Sequence, residues 1–454
     1  MSSAILRPRE WRVRPGRRSG TRATLAGVLA SLALATGLAA RPGTAHAGVP
    51  DSAYTEDAEL RDKYLLGDWM GARTWLWERG VKPKFLLLSD PYGNPVGGKA
   101  QGLTAYNLFC ADLKLDTAKL VGLPGGEFHV GFSVNFGRQL SQDVVGSVFP
   151  IQASDVAPPG TRLTILSYTQ SLLDDLLSIR AGRVAIDSLY GQEFAASWYF
   201  RSFTSVAFNA IPFAIFYDSP GAFGYPATTW GARAKVTPNE RWYAMAGIYN
   251  GDPDVGRADR HGVDFSFDGP PYGIGEVGYR RNQGAGDVGL EGNLKVGGFV
   301  LGGDVKRYDS TRSSSGRGGV YVVADQVIVR FGEADENRHL GVFGSLVVAP
   351  DEAVSPMPYY VNGGMVAYGP FASRPKDYVS LGFAYGAFSS RLRDQQVAQG
   401  VLPQFSETTI ELSWGIHVLP GLILQPGTQV LIHPGGNPGT PSGLALGLNA
   451  IIAF

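Results

Sequence analysis

Apolar and polar side chains alternate along segments of about ten residues throughout much of this chain, which has 454 residues. A β-strand directs successive side chains to opposite faces, so an alternating segment has one apolar face and one polar or small face. The alternation is regular in residues 127–137, 377–388 and 405–418, and it continues to the end of the sequence. One parity of the last segment holds Leu446, Leu448, Ala450, Ile452 and Phe454. The pattern predicts an all-β protein.

Two all-β architectures would produce this alternation. In a soluble sandwich the apolar face points to the core, whereas in a transmembrane barrel it meets lipid and the polar face lines a lumen. Trp, Phe and Tyr lie often near the ends of the predicted strands, which is typical of the aromatic girdles at the two membrane interfaces. The final strand, with its terminal Phe454, resembles the closing strand of bacterial outer-membrane barrels and the signal read by their assembly machinery. We therefore favour the barrel.

Sixteen alternating segments can be delimited, and they predict a 16-stranded antiparallel transmembrane β-barrel. A barrel of this size is wide enough to leave an aqueous channel. We expect a bulge around Gly297-Gly298, where the parity is confused. The predicted strands are 81–90, 104–116, 127–137, 162–171, 175–184, 226–237, 241–250, 272–281, 294–308, 319–331, 338–349, 358–368, 377–388, 405–418, 422–433 and 443–454.

The connections between these segments mostly alternate in length, as they do in bacterial barrels with short periplasmic turns and longer outer loops. Because the strand number is even, both ends of the barrel chain should lie on the short-turn side, in the periplasm. The long connections are 138–161, 185–225, 251–271 and 389–404, and the short ones include 172–174, 237–241, 332–338 and 419–421.

The N-terminal region predicts export. Residues 7–22 contain seven Arg, residues 24–40 are an uncharged apolar run, and Ala45-His46-Ala47 has the small-x-small pattern of a cleavage site. These features predict a signal peptide over residues 1–47, rather than a membrane helix. Residues 48–80 would form a periplasmic segment with an amphipathic helix within 58–80, and residues 81–454 the barrel. The predicted location is the bacterial outer membrane.

Composition argues against several other functions. The residues after 47 contain 32 Lys and Arg and 39 Asp and Glu, an acidic excess that gives no reason to expect nucleic acid as a partner. The single cysteine, Cys110, allows no internal disulfide and is expected to serve in packing. No nucleophile, metal-ligand or CxxC motif is present, so we expect no cofactor or metal. An outer-membrane barrel hydrolase remains the competing enzyme hypothesis.

Several short motifs resemble those of the carbohydrate-selective porins of the OprB type, from about residue 60 to the C-terminus. Met70 departs from the family pattern, where glycine is expected, and the loops 185–225 and 251–271 match poorly. The resemblance implies an outer-membrane channel that admits mono- or small oligosaccharides, with outer-membrane lipid and the barrel-assembly machinery as further partners. A general, non-selective porin is the alternative. The motifs are residues 66–73 (LGDWMGAR), 120–130 (LVGLPGGEFHV), 180–183 (RAGR), 230–233 (WGAR), 424–426 (LQP) and 433–436 (HPGG).

Strand parity supplies candidates for residues that touch a solute. A charge on the lipid face would cost about 2–4 kcal/mol at the membrane midplane, so charged strand residues should face the lumen. The alternative is that these charges only solvate a wet lumen. The strand candidates are Arg180, Arg233, Lys235, Asp304, Lys306 and Glu411.

The aromatic-rich connection 185–225 follows the fifth predicted strand. Its apolar load predicts that it folds inward and narrows the pore, with an external cap as the alternative. Trp198 and Arg201 of this loop are further candidates for pore lining. We expect Arg180 and Arg233 to donate hydrogen bonds to sugar hydroxyls, with acidic partners such as Asp304 or Glu411 holding them in place.

Overall fold

The computed structural model describes residues 63–155, 157–187, 193–219, 224–254, 257–284, 286–331 and 337–454. The predicted signal peptide and residues 58–62 of the predicted helix lie outside these ranges. No helix among the described residues is both long enough and apolar enough to cross a membrane.

Sixteen strands form one closed barrel in which each strand pairs antiparallel with its neighbours in sequence and β1 pairs with β16. This confirms the predicted fold class, and each predicted segment overlaps one observed strand. The strands are β1 Val81–Val96, β2 Gly102–Asp116, β3 Gly126–Gly137, β4 Gly160–Leu172, β5 Leu177–Val184, β6 Thr229–Val236, β7 Trp242–Asn250, β8 Pro271–Arg281, β9 Gly292–Lys306, β10 Ser313–Arg330, β11 His339–Val348, β12 Tyr359–Tyr368, β13 Tyr378–Ala387, β14 Ser406–Leu419, β15 Leu422–Ile432 and β16 Gly443–Ala453.

The two faces of the strands differ as the alternation predicts. On β3, Phe128, Phe132 and Phe136 are exposed on the outer surface of the chain, whereas His129 and Ser133 are buried on the inner side. The outer surface is therefore apolar, and the inner surface carries polar groups.

The predicted bulge at Gly297-Gly298 is wrong. Pairing between β9 and β10 is regular there, and its register shifts only between Ser314 and Gly316, opposite Gly303 and Asp304. The alternation is irregular at Gly297 for another reason. The ring of Tyr321 covers this glycine, and a Cβ on residue 297 would lie 2.3 Å from Cζ of Tyr321. The glycine makes room for a large side chain on the neighbouring strand.

The residues before the barrel form a 3₁₀ turn, Trp69–Gly71, and one short helix, α1 (Ala72–Glu78). Met70 has a φ of +58°, a backbone conformation in which glycine is favoured, and its side chain is fully exposed. The departure from the family pattern therefore falls on a strained position.

Arg73 of α1 fixes this segment to the barrel end where the short turns lie. Its guanidinium is buried and lies 3.7 Å from the ring centre of Tyr64 and 4.2 Å from that of Trp69. It also donates to the carbonyl oxygen of Phe454 at 2.5 Å. The backbone N–H of Leu65 donates to the carbonyl oxygen of Ala453 at 2.8 Å.

The remaining helices are short and lie in the connections: α2 Thr117–Val121, α3 Val206–Asn209, α4 Phe213–Tyr217 and α5 Ser390–Ala398. Single turns of 3₁₀ or π helix occupy Ser141–Val145, Phe200–Ser202, Ala258–Arg260 and Pro434–Gly436. Of these, α3 and α4 belong to the long connection between β5 and β6, which positions the candidate site.

Candidate functional site: the lumen and its inward loops

The described residues of the connection between β5 and β6 (185–228) fold into the barrel, and we call this connection the inward loop. Its described residues contact the inner faces of β8, β10 and β14 in turn. The Ala195 N–H donates to Glu276 at 2.6 Å, and the Trp198 N–H donates to Asp325 at 3.2 Å. The loop thus crosses the lumen, which confirms the prediction of inward folding. Tyr190 lies outside the described residues.

Glu411 anchors the far end of the inward loop. Its carboxylate is fully buried and accepts from the backbone N–H groups of Thr204 and Ser205 at 2.7 and 2.8 Å. Backbone N–H groups that enter a lumen need such acceptors, because an unpaired buried donor is costly. Glu411 is therefore an inner-wall residue whose structural contacts are with the loop.

A second connection, residues 138–159 between β3 and β4, also folds inward. Glu407 of β14 accepts from the N–H of Val148 at 2.9 Å, and Asp90 of β1 accepts from the hydroxyl of Ser154 at 2.6 Å. Ser205 of the inward loop donates to the carbonyl of Pro150 at 3.0 Å, so the two loops are joined. Together they narrow the lumen from two sides.

Arg180 and Arg233 lie opposite each other on β5 and β6 and share one carboxylate, that of Glu193 in the inward loop. Arg180 Nη1 donates to Glu193 Oε1 at 2.8 Å, and Arg233 Nε donates to Glu193 Oε2 at 2.6 Å. Arg180 also donates to Ser167 and Arg233 to Ser178. We call Arg180, Glu193 and Arg233 the arginine clamp.

The two arginines of the clamp determine the protonation state of Glu193. Burial by itself would raise the pKa of the Glu193 carboxyl, but the guanidinium groups of Arg180 and Arg233 outweigh it and lower this pKa to about 2. The glutamate is therefore ionised at neutral pH, and the clamp carries two positive charges and one negative charge.

The expected acidic partners of the two arginines are wrong. Glu411 holds the opposite end of the inward loop, and Asp304 is exposed at the end of β9 next to the 307–312 hairpin. Strand parity predicted that Glu411 and Asp304 face the inside of the barrel. It gave no information about their distance from Arg180 and Arg233 along the barrel axis. The actual partner, Glu193, comes from a loop that no periodicity places.

The other candidates occupy three regions. Lys306 is exposed near Asp304 at the long-loop end of the barrel. Trp198 and Arg201 lie in the inward loop, where Arg201 stacks 4.9 Å from the ring centre of Phe200. Lys235 is half-buried on β6, two residues beyond Arg233 toward the short-turn end. Among these candidates, Arg180 and Arg233 are a pair that shares one ion-pair partner, Glu193.

Sequence reasoning missed Glu193, the second inward loop and Arg280, which is half-buried on the inner side of β8. Parity within the predicted strand 272–281 was a usable signal for Arg280, which shares the parity of the buried Tyr272 and Glu276. Nothing in the sequence distinguished the 138–159 connection from an outer loop.

The clamp presents both kinds of hydrogen-bonding group that a polyol needs. Each guanidinium has five N–H donors in a fixed plane, and a carboxylate offers several lone pairs. The described residues contain no cluster of three or more His, Cys, Asp or Glu suited to hold a metal ion. The arrangement suits reversible binding of hydroxyl groups.

A closed sixteen-stranded barrel, apolar outside and narrowed inside by polar loops, defines a porin. The sequence profile of the "Carbohydrate-selective porin, OprB family" matches residues 100–454. The chain therefore belongs to this family and is a carbohydrate-selective porin of the bacterial outer membrane.

Individual relatives agree with this family assignment. The chain is 26% identical to Porin B of Pseudomonas aeruginosa over 443 residues, covering 90% of this chain and 95% of the relative. It is 22% identical to the putative porin QuiX of Acinetobacter baylyi, covering 86% and 93%. The high-pH structure of Pseudomonas putida OprB superimposes with a TM-score of 0.79 at 23% identity, covering 88% of this chain and all of that one.

Proposed function

We propose that small sugars, mono- or small oligosaccharides, diffuse passively through this channel and bind transiently at the arginine clamp. The short-turn end faces the periplasm in this proposal. The observation that carries it is the position of the clamp, where the inward loop meets the inner wall and where Arg180 and Arg233 have donors beyond those that Glu193 occupies. The sugar undergoes no chemical conversion.

Weak binding is an essential part of the proposal, because a solute that binds too tightly would not leave the channel. The guanidinium groups are held by Glu193 and the serine hydroxyls, so the entropy lost on sugar binding is small. Water competes for the same donors. The apolar outer surface contacts outer-membrane lipid, and the assembly machinery recognises the strand that ends in Phe454.

Block of ion current by sugar in planar bilayers tests the role of the clamp. Arg180→Ala and Arg233→Ala should each raise the half-saturating sugar concentration about tenfold or less, because a charged hydrogen bond contributes about 1.5–3 kcal/mol at most and water competes. Arg241→Ala, which removes an exposed arginine from a short turn, is the matched control and should leave the block unchanged.

Three outcomes would contradict parts of this proposal. If both clamp variants alter only the preference for cations over anions, the arginines are general lumen charges. A conductance that no sugar blocks would favour a non-selective porin. Hydrolysis of lipid or peptide substrates by the purified protein would favour the barrel hydrolase. Liposome swelling with a panel of sugars would rank the permeant solutes.

A further inference from the structure

Two cations lie below the arginine clamp, toward the short-turn end of the lumen. Lys235 follows Arg233 on the inner side of β6, and Arg280 lies on the inner side of β8 near its last residue. The Lys235 ammonium is 4.8 Å and the Arg280 guanidinium 5.1 Å from the ring centre of Tyr243 on the intervening strand β7. The two charges are therefore at most about 10 Å apart.

The Tyr243 ring is a fixed support for both cations. It lies against Gly278, where a Cβ would be 2.1 Å from the ring, and its hydroxyl donates to Glu276 at 2.7 Å. Glu276 also accepts from the hydroxyl of Tyr321 and the N–H of Ala195. This carboxylate is thus committed to three donors, none of which is Lys235 or Arg280.

Lys235 and Arg280 are not paired with a carboxylate in the described part of the chain, although the charge of Glu193 acts on Lys235 from beyond salt-bridge distance. No carboxylate among those residues forms a salt bridge with either side chain. The other lumen cations differ, since Arg180 and Arg233 share Glu193, and Lys295 donates to the carbonyl of Ala196. Both Lys235 and Arg280 remain partly exposed, so their positive potential reaches the lumen.

We propose that Lys235 and Arg280 form an anion-binding step on the periplasmic side of the clamp, so that the channel also conducts small sugars bearing a carboxylate or phosphate group. The proposal rests on the proposed function and names a second substrate class for the same channel. Cations that have no salt-bridge partner and lie between low-dielectric walls raise the local concentration of anions. A solute whose hydroxyls leave the clamp can transfer its acidic group to Lys235 and then to Arg280.

The geometry favours transfer over trapping. Tyr243 lies between the two cations and already interacts with each of them, and the pair does not form the bidentate fork that holds Glu193. An anion would therefore be attracted to Lys235 and to Arg280 in turn. Neither cation alone would offer it the full set of donors that a tight anion site has. Such multi-site, moderate binding is what conduction requires.

Paired measurements with glucose and gluconate test this inference. Glucose influx is measured by liposome swelling, and gluconate permeability relative to potassium is measured from the reversal potential under a potassium gluconate gradient. Lys235→Gln and Arg280→Gln should each lower the relative gluconate permeability about threefold to tenfold and leave glucose influx within a factor of about two. Lys376→Gln, which removes an exposed lysine from a turn at the same end of the barrel, should change neither quantity.

The outcomes separate this inference from the function on which it rests. A wild-type channel that takes up glucose but excludes gluconate overturns the anion step and leaves the proposed function standing. Equal losses of glucose and gluconate in the two Gln variants would mean that the side chains set pore shape, and would also overturn it. A wild-type channel that takes up no sugar would contradict the proposed function itself.

Discussion

The side chains of the arginine clamp are largely enclosed, with 13% of Arg180, 10% of Arg233 and 9% of Glu193 exposed. Enclosure strengthens the attraction between opposite charges, but it also makes the loss of one partner costly. Glu193 therefore has two effects: it holds the inward loop against β5 and β6, and it reduces the positive charge that a solute meets.

Glu193→Gln tests both effects at the residue scale. The substitution leaves two guanidinium groups without a counter-charge, so anion preference should rise in reversal-potential measurements, and the barrel should unfold at a lower temperature at pH 7. The loss should amount to about 1.5–3 kcal/mol, the contribution of hydrogen bonds to a charged group. Glu240→Gln, in an exposed short turn, is the control.

The pH dependence of this stabilisation has a defined sign. The pKa of Glu193 is lowered from 4.5 to about 2 in the folded state, so its contribution is complete above about pH 4.5 and is lost as the pH falls toward 2. The difference in unfolding temperature between wild type and Glu193→Gln should shrink over that window. A difference that stays constant down to pH 2 would contradict the assigned ion pairs.

Alternation predicted which strand residues face the lumen but not what each one contacts. Arg180 and Arg233 lie on the inner side of β5 and β6, where strand parity predicts them, because a charged residue would be costly on the lipid side. Their contact with a solute stays a prediction. Their partner could not be predicted, because Glu193 lies in a segment without periodicity, and its position depends on the path of a loop across the lumen.

At the scale of elements, the described part of the inward loop crosses the lumen from one wall to the other. Its described residues form hydrogen bonds to every strand from β8 to β14, including Tyr368 of β12 through the hydroxyl of Ser202 at 2.7 Å. The 251–270 connection behaves differently: Trp230 on the outer wall donates to the carbonyl of Asp264 at 2.9 Å and stacks on Phe265. The described part of one loop narrows the inside of the barrel, and that of the other covers part of its outside.

Shortening the inward loop within 197–219 should raise single-channel conductance and weaken discrimination between sugars, because the polar and aromatic groups that cross the lumen would be removed. Planar-bilayer recordings measure both effects. Shortening the 251–270 loop by a comparable number of residues is the matched control and should leave conductance unchanged. An unchanged conductance after shortening of the inward loop would show that it does not limit the current.

The strands were the elements most fully predicted from the sequence, because alternation and aromatic ends both mark them. The 138–159 connection was expected only to be long. Its inward course depends on Asp90 and Glu407, buried strand carboxylates that accept hydrogen bonds from it, and such pairing across 64 and 259 residues of sequence leaves no local pattern.

At the scale of the whole molecule, closure of the barrel depends on the pairing of β1 with β16. The N–H of Phe454, directly after β16, extends this pairing by donating to the carbonyl of Phe85 at 3.0 Å. Deleting Phe454 should lower the yield of assembled barrel, seen as heat-modifiable migration on gels, whereas Phe454→Tyr should preserve it. Equal yields of all three proteins would count against an assembly role for the terminal aromatic.

The contact of Arg73 with Phe454 limits when the segment before the first strand can reach its native position during assembly. The carbonyl that receives this hydrogen bond, and the Ala453 carbonyl that receives the Leu65 N–H, belong to the end of the sixteenth strand. Neither contact can form until that strand is in place. The residues that precede the first strand therefore cannot complete their native contacts before the last strand has taken its position beside β1.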